Sequence, residues 1–397
     1  MFKKIMLCLM AILMLSSSFQ NINAAEVSAA SYILYDIENE VILAQENQNE
    51  VRNIASLTKL MGIITALDNI TNLKEKIRVD GEVIQGYYDY TKVGLDHGDY
   101  VTYEELLYAM MLPSGADAAL LINHHVAGGE EQFAKLMNQK AKELGMNNSH
   151  FDNSIGVDSE KNYSTASDLL LLLKYALKNE TFYKMFTSKK YKMEALDKEI
   201  ETTLTYYAKY IDQDLTSIKG SKTGYTNGAG YCLASISEHD GHEVALITLG
   251  SDLDYRASAI EDSLEIYDEF KTDYTYTDIL SEGEHITTLP IQRGWKKNYE
   301  VVMPESVQGF VKDKDDWYVH YVGNQELNRD IKKGDWLGKV EVYQEGYLLL
   351  SYDLYLENFI LYHYPLLYIL VIFAFIAYLV ILRKKKLRRR RRKRRSR

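Results

Sequence analysis

Residues 54–61, which read IASLTKLM, place Ser56 and Lys59 three residues apart at the start of an apolar run that continues to Ile70. The apolar residues of that run recur at helical intervals, so we expect a helix that opens at the serine. On a helix this spacing puts both side chains on one face, about one turn apart. A serine hydroxyl becomes a good nucleophile only when a base takes its proton, and a lysine is such a base only when its surroundings lower its pKa. The pair suits nucleophilic catalysis, although a lone Ser-x-x-Lys pair equally suits a capping serine beside a solvated lysine.

The sequence on both sides of this helix predicts strands at the two ends of one domain. Residues 30–41 alternate and indicate a strand and a turn near 38–40, after which a second strand begins. Residues 231–237 and 243–249 indicate two further strands around a turn at 239–241. The helical block between them and the closing helix are expected at 103–111, 116–126, 130–144, 166–177 and 258–270. Strands, then helices, then strands again predict an α/β domain whose first and last segments share one sheet.

A second motif, Lys222-Thr223-Gly224, stands more than 160 residues further along the chain, just before the late strands. A lysine and a threonine at a strand edge can bind a carboxylate, and the strand backbone can pair with an extended peptide. A glycine at that place lets the peptide approach closely. Alone, the tripeptide is an ordinary turn. Together with Ser56 and Lys59 it indicates a site that attacks a peptide substrate.

Both ends of the chain carry signals typical of membrane targeting. Residues 1–24 combine two early lysines, an apolar run and small residues near Ala24, which predicts a secretory signal cleaved there rather than an uncleaved anchor. Residues 359–382 contain no formally charged side chain and are long enough to span a bilayer. Residues 383–397 follow at once and hold 13 of the 46 basic residues, so we expect the tail in the cytoplasm and the body outside. Behind a span, such a tail can bind anionic lipid headgroups, and no nucleic-acid partner is expected.

The region between the two ends is acidic, with 31 basic against 56 acidic residues, and we expect it to form two domains. Residues 25–272 contain the strands, helices and motifs described above. Residues 273–356 predict a small all-β domain, because the helical pattern gives way to short alternating runs at 285–290, 299–303, 317–322, 339–343 and 347–352. Once the signal is removed, Cys232 is the only cysteine, so no intramolecular disulfide is possible and we expect the thiol to pack in a strand.

Histidine pairs give only a weak indication of metal binding. His124 and His125 adjoin inside an expected helix, and His239 and His242 flank an expected turn. Neither pair has further ligands at a recognised spacing, so we expect no metal and no cofactor.

The two motifs and their flanking residues resemble those of the D-alanyl-D-alanine carboxypeptidases, which are serine-type, low-molecular-mass penicillin-binding proteins. The resemblance covers about residues 28–355, and the glycine-flanked Lys-Thr-Gly-x-Thr is its most specific part. The matching stretches are IASLTKLM at 54–61, MLPSG with DAA at 111–119, FDN with a glycine at 151–156, YSTA with DL at 163–169, and GSKTGYT with AGYC at 220–232. The resemblance implies an α/β catalytic domain like that of penicillin-binding proteins and serine β-lactamases, with an antiparallel sheet and a helical block. The small all-β domain and the transmembrane helix at 359–382 would follow it.

By this resemblance, the catalytic roles of the family fall on three residues. Ser56 would attack the carbonyl of the penultimate D-alanine and form an acyl-enzyme, with Lys59 as its base. Ser114 would relay a proton to the departing D-alanine. Water would then release the peptide.

The same resemblance implies that the second motif binds substrate. Lys222 and Thr223 would hold the terminal carboxylate, and Gly224 would leave room for the substrate. The backbone N–H groups of Ser56 and Tyr225 would form the oxyanion hole. The implied partners are peptidoglycan stem peptides that end in D-Ala-D-Ala, and β-lactams, to which the enzyme would be sensitive.

The sequence departs from the family at one position. Between the two motifs the family has Ser-x-Asn, whereas this chain has Ser114-Gly115-Ala116, with Asp117 one residue too late to replace the asparagine. Alanine has no side-chain amide, so we expect retained activity with an altered rate or specificity. Two other functions stay open. One is a β-lactamase, for which no Glu-x-x-Leu-Asn-type segment is visible, and the other is a catalytically impaired peptidoglycan-binding protein, which Ala116 suggests.

Overall fold

The computed structural model describes four stretches of the chain: residues 27–86, 89–312, 317–344 and 346–395. The predicted signal segment at 1–24 lies outside the described residues. The described chain divides into two compact units. The first unit runs to Tyr276 and includes Phe310 to Lys312, and the second holds the remaining residues from Thr277 onward.

The described helices alternate with strands in the first unit and are followed by a strand-rich second unit. The helices are α1 (Thr58–Asn69), α2 (Tyr103–Met111), α3 (Ala116–Ala127), α4 (Glu130–Glu143), α5 (Ala166–Leu177), α6 (Glu180–Thr187), α7 (Thr203–Tyr207), α8 (Ser258–Asp273) and α9 (Pro365–Arg395). The strands up to Ser251 are β1 (Ser31–Asp36), β2 (Val41–Glu46), β3 (Lys76–Arg78), β4 (Tyr100–Thr102), β5 (Lys190–Met193), β6 (Lys198–Glu201), β7 (Gly220–Thr226), β8 (Gly230–His239) and β9 (His242–Ser251). The later strands are β10 (Tyr274–Leu280), β11 (His285–Pro290), β12 (Asn298–Val302), β13 (Val307–Lys312), β14 (Trp317–Gly323), β15 (Trp336–Gln344) and β16 (Tyr347–Tyr355).

One five-stranded antiparallel sheet organises the first unit. Its strand order is β2-β1-β9-β8-β7, so the first two strands of the chain pair with three that follow the helical block. The predicted α/β arrangement, in which the first and last segments share a sheet, is confirmed. A tight turn joins β8 to β9 through Asp240 and Gly241, both with positive φ. The order leaves β7, which carries Lys222-Thr223-Gly224, at an edge of the sheet.

Both faces of this sheet are covered, because its central strands alternate between two apolar clusters. On β1, Ile33 and Tyr35 join the cluster with the helical block, while Tyr32 and Leu34 join the cluster with α8. Cys232 on β8 is almost fully buried on the helical side. A sheet packed on both faces is a rigid support for the motif on its edge strand.

The second unit is built from short antiparallel pairings. β11 pairs with β12, and β14, β15 and β16 form a three-stranded sheet. The five alternating runs expected from the sequence all correspond to strands, but β10 and β13, which pair with each other, had no clear sequence signal. β10 directly continues the closing helix, which runs three residues longer than expected.

The apolar segment near the C-terminus forms α9, which begins at Pro365 and not at residue 359. Proline is well suited to the first turn of a helix because it has no N–H to satisfy there. Among the described residues, only this helix is long and apolar enough to cross a membrane, over Leu367–Lys386. Residues 359–364 form a non-helical lead-in, in which Tyr362 bridges to Gly294.

Candidate active site

Ser56 lies in a tight turn and not in an α-helix. It occupies the middle of a single-turn 3-10 helix, Ala55–Leu57, and α1 begins only at Thr58. The helix start is therefore two residues later than expected, and Ala55, just before the serine, has a left-handed backbone, with φ 46°. Such a conformation is uncommon for alanine and persists where surrounding structure holds it.

Residues 153–157, which we call the glycine loop because they contain Gly156, pack directly against this turn. A Cβ on Gly156 would lie 2.0 Å from the Ala55 carbonyl oxygen, and φ +91° at this position also favours glycine. Asn153 holds the loop, because its Oδ1 accepts the N–H groups of Gly156 at 2.7 Å and of Val157 at 3.0 Å. The stretch at 151–156 therefore supports the turn that carries Ser56.

Lys59 is buried against Ser56. Its Nζ lies 3.1 Å from Ser56 Oγ and donates to the Ile155 carbonyl oxygen at 2.5 Å, while only 1% of the residue is exposed. Burial lowers the pKa of Lys59 to about 7, and the nearby Asp117 carboxylate partly opposes this shift. A large fraction of Lys59 is therefore neutral near pH 7 and able to accept a proton. The Ile155 carbonyl was not expected from the sequence, because no side-chain pattern marks a backbone acceptor.

Lys222 brings a second buried amine to the same place. Only 1% of the residue is exposed, and its Nζ donates to the Thr223 carbonyl oxygen at 2.9 Å. Its pKa lies well below the ordinary lysine value, because burial disfavours the charged form and the neighbouring Lys59 repels it. A buried amine whose charge is disfavoured by its neighbour is prepared to receive an anion.

The edge strand brings its motif against the nucleophile turn. A Cβ on Gly224 would lie 3.1 Å from both the Ser56 backbone nitrogen and the Ile54 carbonyl oxygen, so any larger side chain would crowd the nucleophile. Thr223 Oγ1 is 2.5 Å from Thr203 Oγ1. Tyr225 is 41% exposed, and its ring stacks on that of Tyr231 with centroids 4.4 Å apart.

The stretch Ser114-Gly115-Ala116, which we call the middle segment, lies between the two motifs in the sequence. Ser114 has a left-handed backbone, with φ 65°, between α2 and α3, and its Oγ is buried without a hydrogen-bond partner. Ala116 is fully buried as the first residue of α3, where its backbone N–H donates to the Thr91 carbonyl oxygen at 2.7 Å. Its side chain therefore offers a methyl group where the family has an amide.

Asp117 does not supply the missing amide, because its carboxylate is fully engaged. Its oxygens accept the backbone N–H groups of Val93 and Gly94 at 3.0 Å and of Leu95 at 3.2 Å. The residue is 1% exposed. Asp117 thus anchors the 93–95 loop and places a negative charge within electrostatic reach of Lys59.

A further support of the site joins the turn after β7 to Asp158, which directly follows the glycine loop. Thr226 Oγ1 donates to Asp158 Oδ1 at 2.6 Å, and the Gly228 N–H donates to Asp158 Oδ2 at 3.0 Å. The Ala229 N–H in turn donates to Thr226 Oγ1 at 3.0 Å. This network gives the final threonine of Lys-Thr-Gly-x-Thr a structural role, which the motif alone did not reveal.

One exposed cation near the motif was missed by the sequence reasoning. Arg256, in the turn before α8, lines a shallow depression together with Thr223, Gly224 and Tyr231. Its guanidinium lies 5.9 Å from the centroid of the Tyr210 ring. An isolated arginine in a turn carries no motif, so only the fold brings it beside β7.

The histidine pairs take part in packing. The His124 and His125 rings meet edge to face at the end of α3, and His239 stacks on Phe310. His242 Nδ1 pairs with Glu38 at 2.5 Å. Within the part of the chain that the structure describes, no group of three or more His, Cys, Asp or Glu side chains could hold a metal ion.

Comparison with protein families gives two matches. The model for "D-alanyl-D-alanine carboxypeptidase" matches residues 18–253, and the model for "Penicillin-binding protein 5, C-terminal domain" matches residues 274–360. Among curated relatives, D-alanyl-D-alanine carboxypeptidase DacF of Bacillus subtilis is 28% identical over 331 residues, covering 81% of this chain and 83% of the relative. D-alanyl-D-alanine carboxypeptidase DacD of Escherichia coli is 26% identical over 338 residues, covering 80% of this chain and 83% of the relative.

Two solved structures have a fold similar to that of this chain. Penicillin-binding protein 5 of Haemophilus influenzae matches with a TM-score of 0.69 at 20% identity, covering 86% of this chain and all of that chain. The D-alanyl-D-alanine carboxypeptidase DacD of Francisella tularensis matches with a TM-score of 0.67 at 22% identity, covering 88% of this chain and 98% of that chain. At these identities the likeness concerns the fold alone.

Proposed function

The chain belongs to the D-alanyl-D-alanine carboxypeptidase family of serine-type peptidases, and from that premise we propose that it removes the terminal D-alanine from peptidoglycan stem pentapeptides through an acyl-enzyme on Ser56. The observation that carries this proposal is the fully buried Lys59 Nζ, 3.1 Å from Ser56 Oγ. A buried amine with a pKa of about 7 is a suitable general base at neutral pH.

Acylation begins when Ser56 Oγ attacks the carbonyl carbon of the penultimate D-alanine and its proton passes to Lys59 Nζ. The backbone N–H groups of Ser56 and Tyr225 hold the developing oxyanion, and each such donor lowers the barrier by about 3–4 kcal/mol. The C–N bond then breaks, and the departing D-alanine nitrogen keeps the electron pair and takes a proton through Ser114. The Ser114 hydroxyl suits this relay because it is buried and has no other hydrogen-bond partner.

The substrate is held at the free edge of β7. Its backbone extends the sheet by one strand, and its terminal carboxylate binds Lys222 and Thr223, with Gly224 giving it room. A bound carboxylate favours the charged form of Lys222, which burial otherwise disfavours, so we expect substrate to bind together with a proton. Arg256 adds an exposed positive charge beside the same residues. After D-alanine leaves, water attacks the acyl carbonyl and releases the shortened peptide from Ser56.

The deciding experiment incubates the purified protein with a stem pentapeptide and follows the products by mass. We expect loss of one alanine, and we expect a fluorescent penicillin to label the protein covalently. Ser56→Ala should remove both, with a fall in rate of roughly 10⁴–10⁶-fold, because the nucleophile is gone. Ser217→Ala, outside the site, is the matched control. A folded wild-type protein that neither labels nor releases D-alanine would refute the proposal.

One alternative has a specific observation behind it. Ala116 leaves the middle segment without an amide, which favours a protein that binds D-Ala-D-Ala without cleaving it. The pentapeptide experiment separates the two, because binding without release of D-alanine would establish this alternative. Rapid turnover of the penicillin instead of stable labelling would indicate a β-lactamase, which no contact in the described site favours.

The single apolar helix fits a membrane anchor, and we propose a definite topology for it. The catalytic domain of residues 25–272 and the β-rich domain of 273–356 lie outside the cell after cleavage of the signal at 1–24. The span follows, and the basic tail at 383–397 stays in the cytoplasm, because positively charged flanks are retained on that side. Protease added to intact spheroplasts should remove both domains and leave a C-terminal epitope tag protected.

A further inference from the structure

The turn between β11 and β12 is tied to the lead-in of the apolar helix. The Trp295 N–H donates to the Leu361 carbonyl oxygen at 2.9 Å, and the His363 N–H donates to the Arg293 carbonyl oxygen at 2.8 Å. A bridge between Gly294 and Tyr362 lies between these two hydrogen bonds. The turn is therefore fixed next to the point where α9 begins, just ahead of the candidate span.

Large apolar side chains cluster there on the outside of the protein. Trp295 is 59% exposed, although its ring stacks on His363 at 4.8 Å and meets Tyr368 of α9 edge to face at 6.2 Å. Phe359 and Leu361, in the lead-in, are 82% and 72% exposed. Exposed aromatic and aliphatic groups of this size, grouped beside a span, favour a medium less polar than water.

Basic side chains surround these apolar groups. Arg293, Lys296 and Lys297 belong to the same turn as Trp295 and are all exposed. The Arg329 guanidinium donates to the His363 carbonyl oxygen and lies 4.6 Å from the centroid of the Tyr364 ring. Lys333 Nζ lies 5.4 Å from the centroid of the Phe359 ring. Four acids stand among them: Glu326 accepts from Gln292, Asp335 accepts the N–H of Lys332, and Asp330 and Glu357 are exposed. Residues 293–297, 326–335 and 357–364 hold six basic side chains against these four, so the surface keeps a net positive charge.

We call these exposed residues the collar: Arg293, Trp295, Lys296, Lys297, Arg329, Lys332, Lys333, Phe359, Leu361 and Tyr364. The collar is positive, although the chain outside its two termini has far more acidic than basic residues. A positive, aromatic surface at one end of a span has the composition of a membrane–water interface.

We propose that the collar is a binding site for anionic phospholipid headgroups, with the Trp295 ring in the interfacial layer of the outer leaflet. The proposal rests on the membrane span proposed above. Aromatic rings with an apolar body and a polar N–H or O–H occupy this layer, and lysine and arginine bind the phosphates beside it. The hydrogen bonds from the turn to the lead-in hold the second unit's β11–β12 hairpin at the membrane surface.

The chain contains three tryptophans, which gives a direct test of this proposal. The full chain carrying Trp317→Phe and Trp336→Phe keeps only Trp295, and it is inserted into vesicles of phosphatidylglycerol and phosphatidylcholine. The matched control carries Trp295→Phe and Trp336→Phe and keeps only Trp317. Trp317 pairs with Gln344, the last residue of β15, whereas Trp336 is the first residue of that strand. Lipids brominated near the headgroup should quench about half of the Trp295 emission and little of the Trp317 emission.

Insertion of the span is scored separately, by resistance of the vesicle-bound protein to alkaline carbonate. A protein that carbonate extracts refutes the proposed anchor. An inserted protein whose Trp295 is no more quenched than Trp317 overturns the collar proposal and leaves the anchor intact.

Two further results would also overturn the collar proposal. Equal quenching of Trp295 in wholly neutral vesicles would remove the assignment to anionic headgroups. The other result is that brominated lipid does not quench Trp295, while iodide quenches Trp295 less as the protein concentration rises. That result would assign the collar to contact with a second copy of the chain.

Discussion

The active site and the collar use lysine in opposite environments. Lys59 and Lys222 are each 1% exposed, and burial lowers the pKa of both. Lys296, Lys297 and Lys333 lie in solvent beside exposed rings. Burial converts a lysine from a cation into a base, whereas exposure keeps its charge available to an anionic partner. The same residue type therefore has two chemistries, and the surroundings decide between them.

The largest expected effect tests the buried half of this comparison. Lys59→Met should reduce D-alanine release and penicillin acylation about 10²–10⁴-fold, because the general base is lost. The same change should raise the free energy of unfolding by on the order of a few kcal/mol, because a buried amine whose pKa is lowered destabilises the fold at neutral pH. Hydrolysis rates and chemical denaturation measure the two effects.

Lys135→Met is the matched control for that change, because Lys135 is an exposed lysine paired with Glu131 on α4. Its stability should change by no more than about 0.5 kcal/mol. Equal effects of the two substitutions on stability would contradict the difference in environment.

The pH dependence of the wild-type enzyme sharpens the same point. Because Lys59 acts as a neutral base, and because Lys222 already carries its proton once substrate is bound, kcat should rise about tenfold per pH unit below the Lys59 pKa of about 7 and level off above it. The pKa of Lys59 is lower in the folded than in the unfolded chain, so the unfolded chain binds more protons between pH 7 and the ordinary lysine value. Lys59 therefore contributes a stability that increases with pH across that window. A profile that stays flat through pH 7 would exclude Lys59 as the base.

A smaller effect is expected at the middle segment of the active site. Ala116→Asn restores the family's amide at a fully buried position and should change the acylation rate or the preference among peptides by about tenfold, the worth of one hydrogen bond or slightly more. Rates with a pentapeptide and with a penicillin, measured side by side, report this change. Unchanged values for both would mean that the missing amide has no consequence in this protein.

The smallest expected effect tests the exposed half of the comparison. In the variant that keeps only Trp295, replacing Lys296 and Lys297 by Glu should lower headgroup quenching about twofold, and added salt should mask the difference, because exposed charges are screened. Peptide hydrolysis, followed in parallel, shows that the variant is folded. Quenching that is insensitive to both the charge reversal and salt would leave the collar with an apolar contact only.

Four strands of the five-stranded sheet were predictable from local patterns, whereas β3 to β6 and the details of the catalytic turn were not. Alternation over residues 30–41 indicated β1 and the turn after it, and the residues around His239 and His242 indicated the β8–β9 hairpin. The helix expected at Ser56 instead begins at Thr58, and the left-handed Ala55 before the serine packs closely against Gly156, which lies 101 residues further along the chain. Local periodicity carries no information about such a contact.

The second unit shows the same limit. Its hairpins followed from alternating runs, whereas β10 and β13, whose residues divide between the two units, lacked a clear pattern. The apolar segment was recognised, but its helix begins at Pro365 because residues 361–363 bond to the β11–β12 turn instead. A hydropathy window does not distinguish a lead-in from the helix that follows it.

The sequence by itself determined the family, the α/β and all-β order of the chain, the apolar C-terminal segment and the residues expected to do the chemistry. Tertiary structure alone decided that the Lys59 pKa falls to about 7, that Asp117 is occupied by the 93–95 loop, and that Trp295 stacks on His363. The physical reason is the same in each case. Motifs depend on residue type and spacing, whereas burial, charge and ring contacts depend on segments that only folding brings together.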